Sequence, residues 1–268
     1  MRDATRPLPT ATAVRAMFDL SLEGMLWSRR SLVMALLLGM PVVFALLFRI
    51  FLAAHAPPSL TGFDLYAVIV AIYYIRNVLP LTALFYATSL VADEVDGRTL
   101  TYLLTRPLTR ASILLGKFAA YVAVTLTLAL PATVVTFFLL ASAPGSGGVA
   151  AAVPDLLRDL GALALTLVAY GAFFTLLGVL LRRPVIPGLL FLFVWELLAL
   201  LPGYLPRFTI TAWARSLVRH QPAEEGLSGL FAQVLPADLS LAVLVVASAA
   251  FLTLAFWIFS GREYVMEQ

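Results

Sequence analysis

The chain is 268 residues long, 62% hydrophobic and only 12% charged, with a mean hydropathy of +0.97. A soluble domain carries about 25% charged and about 45–50% apolar residues, and no water-soluble core of this size hides so much apolar surface. Soluble enzyme, nucleic-acid binder and disordered linker are thereby excluded, and a polytopic all-α integral membrane protein is predicted. The net charge of +3 does not point to nucleic acid, because the basic residues cluster at the ends of apolar runs, where they orient a chain in a bilayer. The absence of cysteine rules out a disulfide or a thiolate metal site.

Two regions are predicted, a cytoplasmic segment 1–30 and a transmembrane domain 31–268. Residues 1–30 are too polar for the apolar core of a signal peptide, so the first span is expected to act as its own insertion signal. Within them Val14, Met17, Phe18, Leu22, Met25 and Leu26 recur at helical spacing, opposite a stripe of Arg15, Asp19 and Glu23. This predicts an amphipathic helix lying in the membrane interface, with Trp27, Arg29 and Arg30 among the headgroups.

A crossing helix needs about 20 apolar residues. Six stretches meet or approach that length: Ser31–Leu52, Ile69–Val91, Ile113–Ala141, Leu160–Leu181, Ile186–Leu201 and Leu239–Phe259. Pro131 predicts a kink in the third, and Pro202, Gly203 and Pro206 break the short fifth where it emerges. Six spans place both termini on one side. With that side cytoplasmic, Arg2, Arg6, Arg15, Arg29, Arg30, Arg98, Arg106, Arg110, Lys117, Arg182, Arg183 and Arg262 lie inside, and only Arg158, Arg207, Arg215 and Arg219 outside. That bias predicts cytoplasmic termini in a multi-pass protein of the cell (inner, cytoplasmic) membrane. Of the outer segments, 143–153 reads as a plain loop, and 202–238 as one or two re-entrant or interfacial helices.

The segment 92–112, on the predicted inner side, carries the most information. It opens with Asp93, Glu94 and Asp96, turns at Gly97, and continues as a short helix with Leu100, Leu103 and Leu104 on one face until Pro107 stops it. Thr109 caps the next helix, which Arg110 and Lys117 accompany into the membrane. A leucine-faced helix outside the bilayer requires a docking surface.

In this order of residues the segment resembles the permeases of the ABC-2 type transporter superfamily. The matching positions are Glu94, Thr99-Leu100, Leu103-Leu104, Arg106-Pro107, Thr109-Arg110 and Gly116-Lys117, with one departure at Gly97-Arg98-Thr99, where the family places glycine beside threonine. The resemblance implies a six-span membrane subunit of type V exporter architecture. It also implies that Glu94, Gly97, Arg98, Thr99, Leu100, Leu103, Leu104, Arg106, Pro107, Arg110 and Lys117 couple the chain to a cytoplasmic ABC ATPase. Two such ATPases and a second permease chain, identical or related, complete the implied complex, which carries out export in that family. ATP and Mg would reside on the ATPase and no cofactor in this chain, because Gly116-Lys117 lacks both the preceding glycine and the following Ser/Thr of a phosphate loop.

Three charges fall inside predicted spans. Arg49 is close enough to the outer end to snorkel. Arg76 and Glu196 lie at similar depth, and they are candidates for a paired gate on the translocation path, for a structural ion pair, or for two charges facing water in the outer vestibule. His55 and His220, the only histidines, sit on outer segments and are expected to face solvent. Neither a metal site nor enzyme activity is expected. Two other readings are a stand-alone secondary transporter or channel, which needs polar residues near the midplane that are scarce here, and a scaffold for an extracytoplasmic partner docking on 202–238. Membrane lipid is a partner in every case.

Overall fold

A computed structural model describes residues 10–54, 61–90, 110–142, 149–201, 203–220 and 235–261, and all regular structure among them is helical. Helix α1 covers Thr10–Leu26. Its buried edge is Ala13 and Met17, flanked by half-buried Val14, Phe18, Leu22 and Met25, while Arg15, Asp19 and Glu23 are exposed. The 3.6-residue periodicity thus selects most of the face predicted for it, while Leu26, expected on that face, is exposed. A tight corner follows. Ser28 Oγ donates to Met25 O and accepts from Ser31 N (2.9 and 3.1 Å), opening α2, Arg29–Ala54.

The second crossing is continuous over Gly62–Ala87, seven residues earlier than its hydropathy suggested. Thr61 and Asp64 form a reciprocal capping box that fixes the start. After α3 (Gly62–Val68) the backbone widens to π geometry over Ile69–Val78 before resuming as α4, Leu79–Ala87. Pro80 offers no N–H to the carbonyl four residues back, on Arg76, and the N–H of Leu79 reaches back five residues to Tyr74 O. A π segment absorbs that mismatch.

Helices α5 (Arg110–Ala141) and α6 (Val149–Leu180) are the longest. With the second crossing they form the centre of the bundle, while α2 and the last helix, α9 (Ala237–Gly261), expose most of their apolar surface. Buried tyrosine hydroxyls tie crossings together through backbone carbonyls: Tyr74 to Leu38 O and Tyr121 to Leu167 O, both at 2.8 Å. Such bonds between helices stabilise a bundle in a medium without competing water.

Between α6 and α9 the chain forms α7 (Val185–Leu190), a π turn (Phe191–Trp195), a 3₁₀ turn (Glu196–Leu200), a second 3₁₀ turn (Leu205–Phe208) and α8, Ile210–Leu217. Among the described residues five helices are long and apolar enough to cross a membrane, and Val185–Leu200 is a shorter apolar one. At 1.5 Å per residue it spans about 24 Å against roughly 30 Å of hydrocarbon. Gly203, with φ of +87°, permits the reversal after it.

Candidate functional site

Of the coupling residues, Glu94, Gly97, Arg98, Thr99, Leu100, Leu103, Leu104, Arg106 and Pro107 lie outside the described residues. The described chain on either side of them is closely tied. Arg110 opens α5, and two turns later the buried ammonium of Lys117 donates to Leu90 O at 2.8 Å. A buried cation is costly unless its protons are accepted, so this bond fixes the second crossing's exit to the first turns of α5. Beside it, a Cβ at Gly116 would stand 2.7 Å from Met17 Cβ and 2.7 Å from Val14 O. Only glycine lets α1 lie this close against α5. The pair Gly116-Lys117 thus ties α1 and the end of the second crossing to α5 at one place.

Arg76 and Glu196 line one cleft of about 100 Å³, together with Asn77, Leu81, Leu192, Phe193 and Leu197. Both belong to the two regions where the helix departs from α geometry, Ile69–Val78 and Phe191–Leu200. The cleft brings the two residues together, but among the described residues no ion pair joins them. Glu196 is buried, and its two carboxylate oxygens accept the N–H groups of Ile210 (3.1 Å) and Thr211 (3.2 Å), while Thr209 Oγ1 accepts from Ala212 N (3.3 Å). These are the unsatisfied donors of the first turn of α8, where a negative charge also meets the positive end of the helix. Glu196 therefore holds α8 against the end of the broken crossing. Arg49 in turn donates to Ser142 Oγ at the far end of α5.

One cluster escaped sequence reasoning. Asp159 is fully buried in α6, accepts Arg219 N–H at 2.7 Å, and lies 2.5 Å from His220 Nδ1. The imidazole stacks on Phe63 and meets Tyr66 and Phe137 edge-on. His220 is therefore packed rather than solvent-facing, because a carboxylate inside an apolar helix demands a donor. The signal was available in Asp155 and Asp159, which punctuate an apolar run whose crossing begins at Ala152, before both of them. The Tyr66 hydroxyl beside this pair has no hydrogen-bond partner among the described residues.

These features, a bundle of crossings in which the end of the second is tied to α5 and a broken apolar segment precedes the last, coincide with a family match. The family described as ABC-2 family transporter protein matches residues 53–264. The chain belongs to the ABC-2 transporter family. The match begins in the last turn of α2 and takes in the 92–112 segment, Arg76, Lys117, Asp159, Glu196 and His220, so each element of this permease described above except α1 and most of α2 lies within it. No curated protein matches the chain. The protein is a multi-pass membrane transport component of an ABC transporter, and its family is not itself catalytic.

Proposed function

We propose that the permease couples a separate cytoplasmic ABC ATPase to substrate export, and that the ATPase docks on the 92–112 segment. The observation that carries this reading is the clamp at Lys117 and Gly116, which joins the exit of the second crossing, the start of α5 and α1 into one body at the root of that segment. A push on the segment is then delivered to two crossings at once. The π segment at Ile69–Val78, with a looser hydrogen-bond pattern than an α-helix, supplies compliance within the crossing that receives it.

In this reading α1 lies in the cytoplasmic interface, both termini are cytoplasmic, Val185–Leu200 is the short crossing that brings the number to six, and α8 is a re-entrant or interfacial helix on its outer side. Two ATPases carry ATP and Mg, while the chain itself holds no cofactor. A second permease chain covers the apolar face presented by Ile186, Leu190, Phe193 and Val194, all more than half exposed. Arg76 and Glu196 act on the cleft between the two irregular segments as the gate of the path. An alternative without a motor, the stand-alone transporter, would leave the clamp without a load.

The absence of cysteine makes the test clean. A photoactivatable cross-linker on Leu103→Cys is expected to capture a nucleotide-binding chain in native membranes, and the same reagent on Ser142→Cys, at the opposite end of α5, to capture none. Capture of no nucleotide-binding chain from Leu103→Cys, or equal capture from both positions, overturns the proposal.

A further inference from the structure

The second crossing runs over Gly62–Ala87, and Arg76 sits near its midpoint, inside the π segment. That is the depth at which a cation is most costly in a bilayer. Half of a hydrocarbon core of roughly 30 Å separates it from either headgroup layer. This is farther than an arginine side chain extends, so snorkelling does not relieve the charge. Nor does the chain itself compensate it. Among the described residues the half-buried guanidinium makes no hydrogen bond, ion pair or ring contact. The carboxylate that shares its cleft, Glu196, is committed to the N–H groups of Ile210 and Thr211.

An ionisable side chain at such depth pairs with a partner or marks a path. Guanidinium N–H groups match carboxylate and phosphate oxygens in geometry as well as charge, so the partner missing here is an oxyanion. Size and lining narrow the choice. The cleft of about 100 Å³ is well below the roughly 300–1,000 Å³ of a site that encloses a whole small molecule. It suits a single anionic group. Around Arg76 stand Leu81, Leu192 and Leu197, the last 50% exposed. A ligand whose anionic end meets Arg76 therefore continues into apolar surroundings, and its body is hydrocarbon-like. A resident membrane lipid does not fill the role, because its headgroup lies at the boundary and not at half depth.

We propose that the Arg76 cleft binds an amphipathic anion, a carboxylate or phosphate group on an apolar body, with Arg76 as the residue that selects the charge. A neutral analogue would occupy the cleft without pairing the guanidinium. The site stands on this geometry. That its ligand is the transported substrate rests on the reading of the cleft as the gate of the path.

The test uses the full chain in phosphatidylcholine nanodiscs and three probes of equal length: dodecanoic acid, dodecanol and dodecyltrimethylammonium. Each carries a photoactivatable diazirine beside its polar end, and the labelled residues are mapped by mass spectrometry. The acid is expected to label the segments that carry Leu81, Leu192 and Leu197, and the other two probes to leave them unlabelled. Arg76→Gln raises the concentration of acid needed by about 10- to 150-fold, the range for a hydrogen bond to a charged group. Its melting temperature stays unchanged, and Arg76→Lys recovers part of the labelling. Equal labelling by acid and alcohol, or undiminished labelling in Arg76→Gln, overturns the proposal. Loss of labelling on adding phosphatidylglycerol to the nanodisc overturns it in favour of a lipid headgroup, and displacement by inorganic phosphate in favour of a free anion. No ATPase enters this experiment, so its failure leaves capture from Leu103→Cys untouched, and failure of that capture leaves the Arg76 site standing.

Discussion

A lysine ammonium enclosed by protein persists only while acceptors meet it, and Lys117 has Leu90 O at 2.8 Å. Lys117→Met leaves that carbonyl without this donor, at a cost of about 1.5–3 kcal/mol for a charged hydrogen bond. A lower melting temperature in detergent is the expected result, and Lys117→Arg recovers part of the loss. The Asp159–His220 contact joins a fully buried carboxylate to a largely buried imidazole, and removing one partner leaves a buried polar group unsatisfied at a cost of about 1–3 kcal/mol. Asp159→Ala and His220→Ala each lower the melting temperature, and together they cost clearly less than the sum, since both remove the same contact. Additive losses in that double-mutant cycle would show that the two side chains act separately. Much of this scale was beyond sequence reading. A histidine after an apolar run looks solvated until the fold shows the aspartate sixty-one positions earlier in the chain, and nothing local in sequence joins them.

At the scale of elements, the amphipathic period of α1 was legible because each buried side chain repeats with the helical turn. Helix starts were less so. Asp64 and Asp159 look like interfacial residues by hydropathy, yet one closes a capping box and the other is consumed by a histidine, so their helices continue past them. The π segments are invisible to periodicity, because hydropathy reports which residues are apolar and not which carbonyl each N–H reaches. Glu196 was marked as an intramembrane charge, but its use as a cap for α8 depends on a return of the chain that no spacing reveals. Glu196→Ala leaves two N–H groups of α8 without acceptors, a loss of about 1–3 kcal/mol for each buried group left unsatisfied. Faster amide exchange over residues 210–217 than over α6 is the expected consequence, and unchanged exchange there contradicts the capping role. Arg76→Gln, by contrast, breaks no bond among the described residues. It should leave the melting temperature nearly unchanged and alter ATP-driven turnover, whereas unaltered turnover contradicts the gate.

The whole molecule is a bundle whose buried centre is the second crossing with α5 and α6, and whose apolar flanks, α2 and α9, face outward as lipid requires. Composition alone made the membrane class plain, and the order of residues from Glu94 to Lys117 carried the family, which the match over 53–264 establishes. The broken crossing Val185–Leu200 is the place where counting apolar residues fails, since its length falls between a buried helix and a span. We propose that this permease works only with a motor bound to the segment that follows its second crossing. The most direct measurement is affinity purification of the tagged full chain from its native membrane, with the bound chains identified and their ATPase activity assayed. A nucleotide-binding chain recovered in stoichiometric amount, and lost on Glu94→Gln with Leu103→Asp and Leu104→Asp, is the predicted result. A permease recovered alone, or one whose ATPase partner remains bound to the altered segment, contradicts a motor docked there.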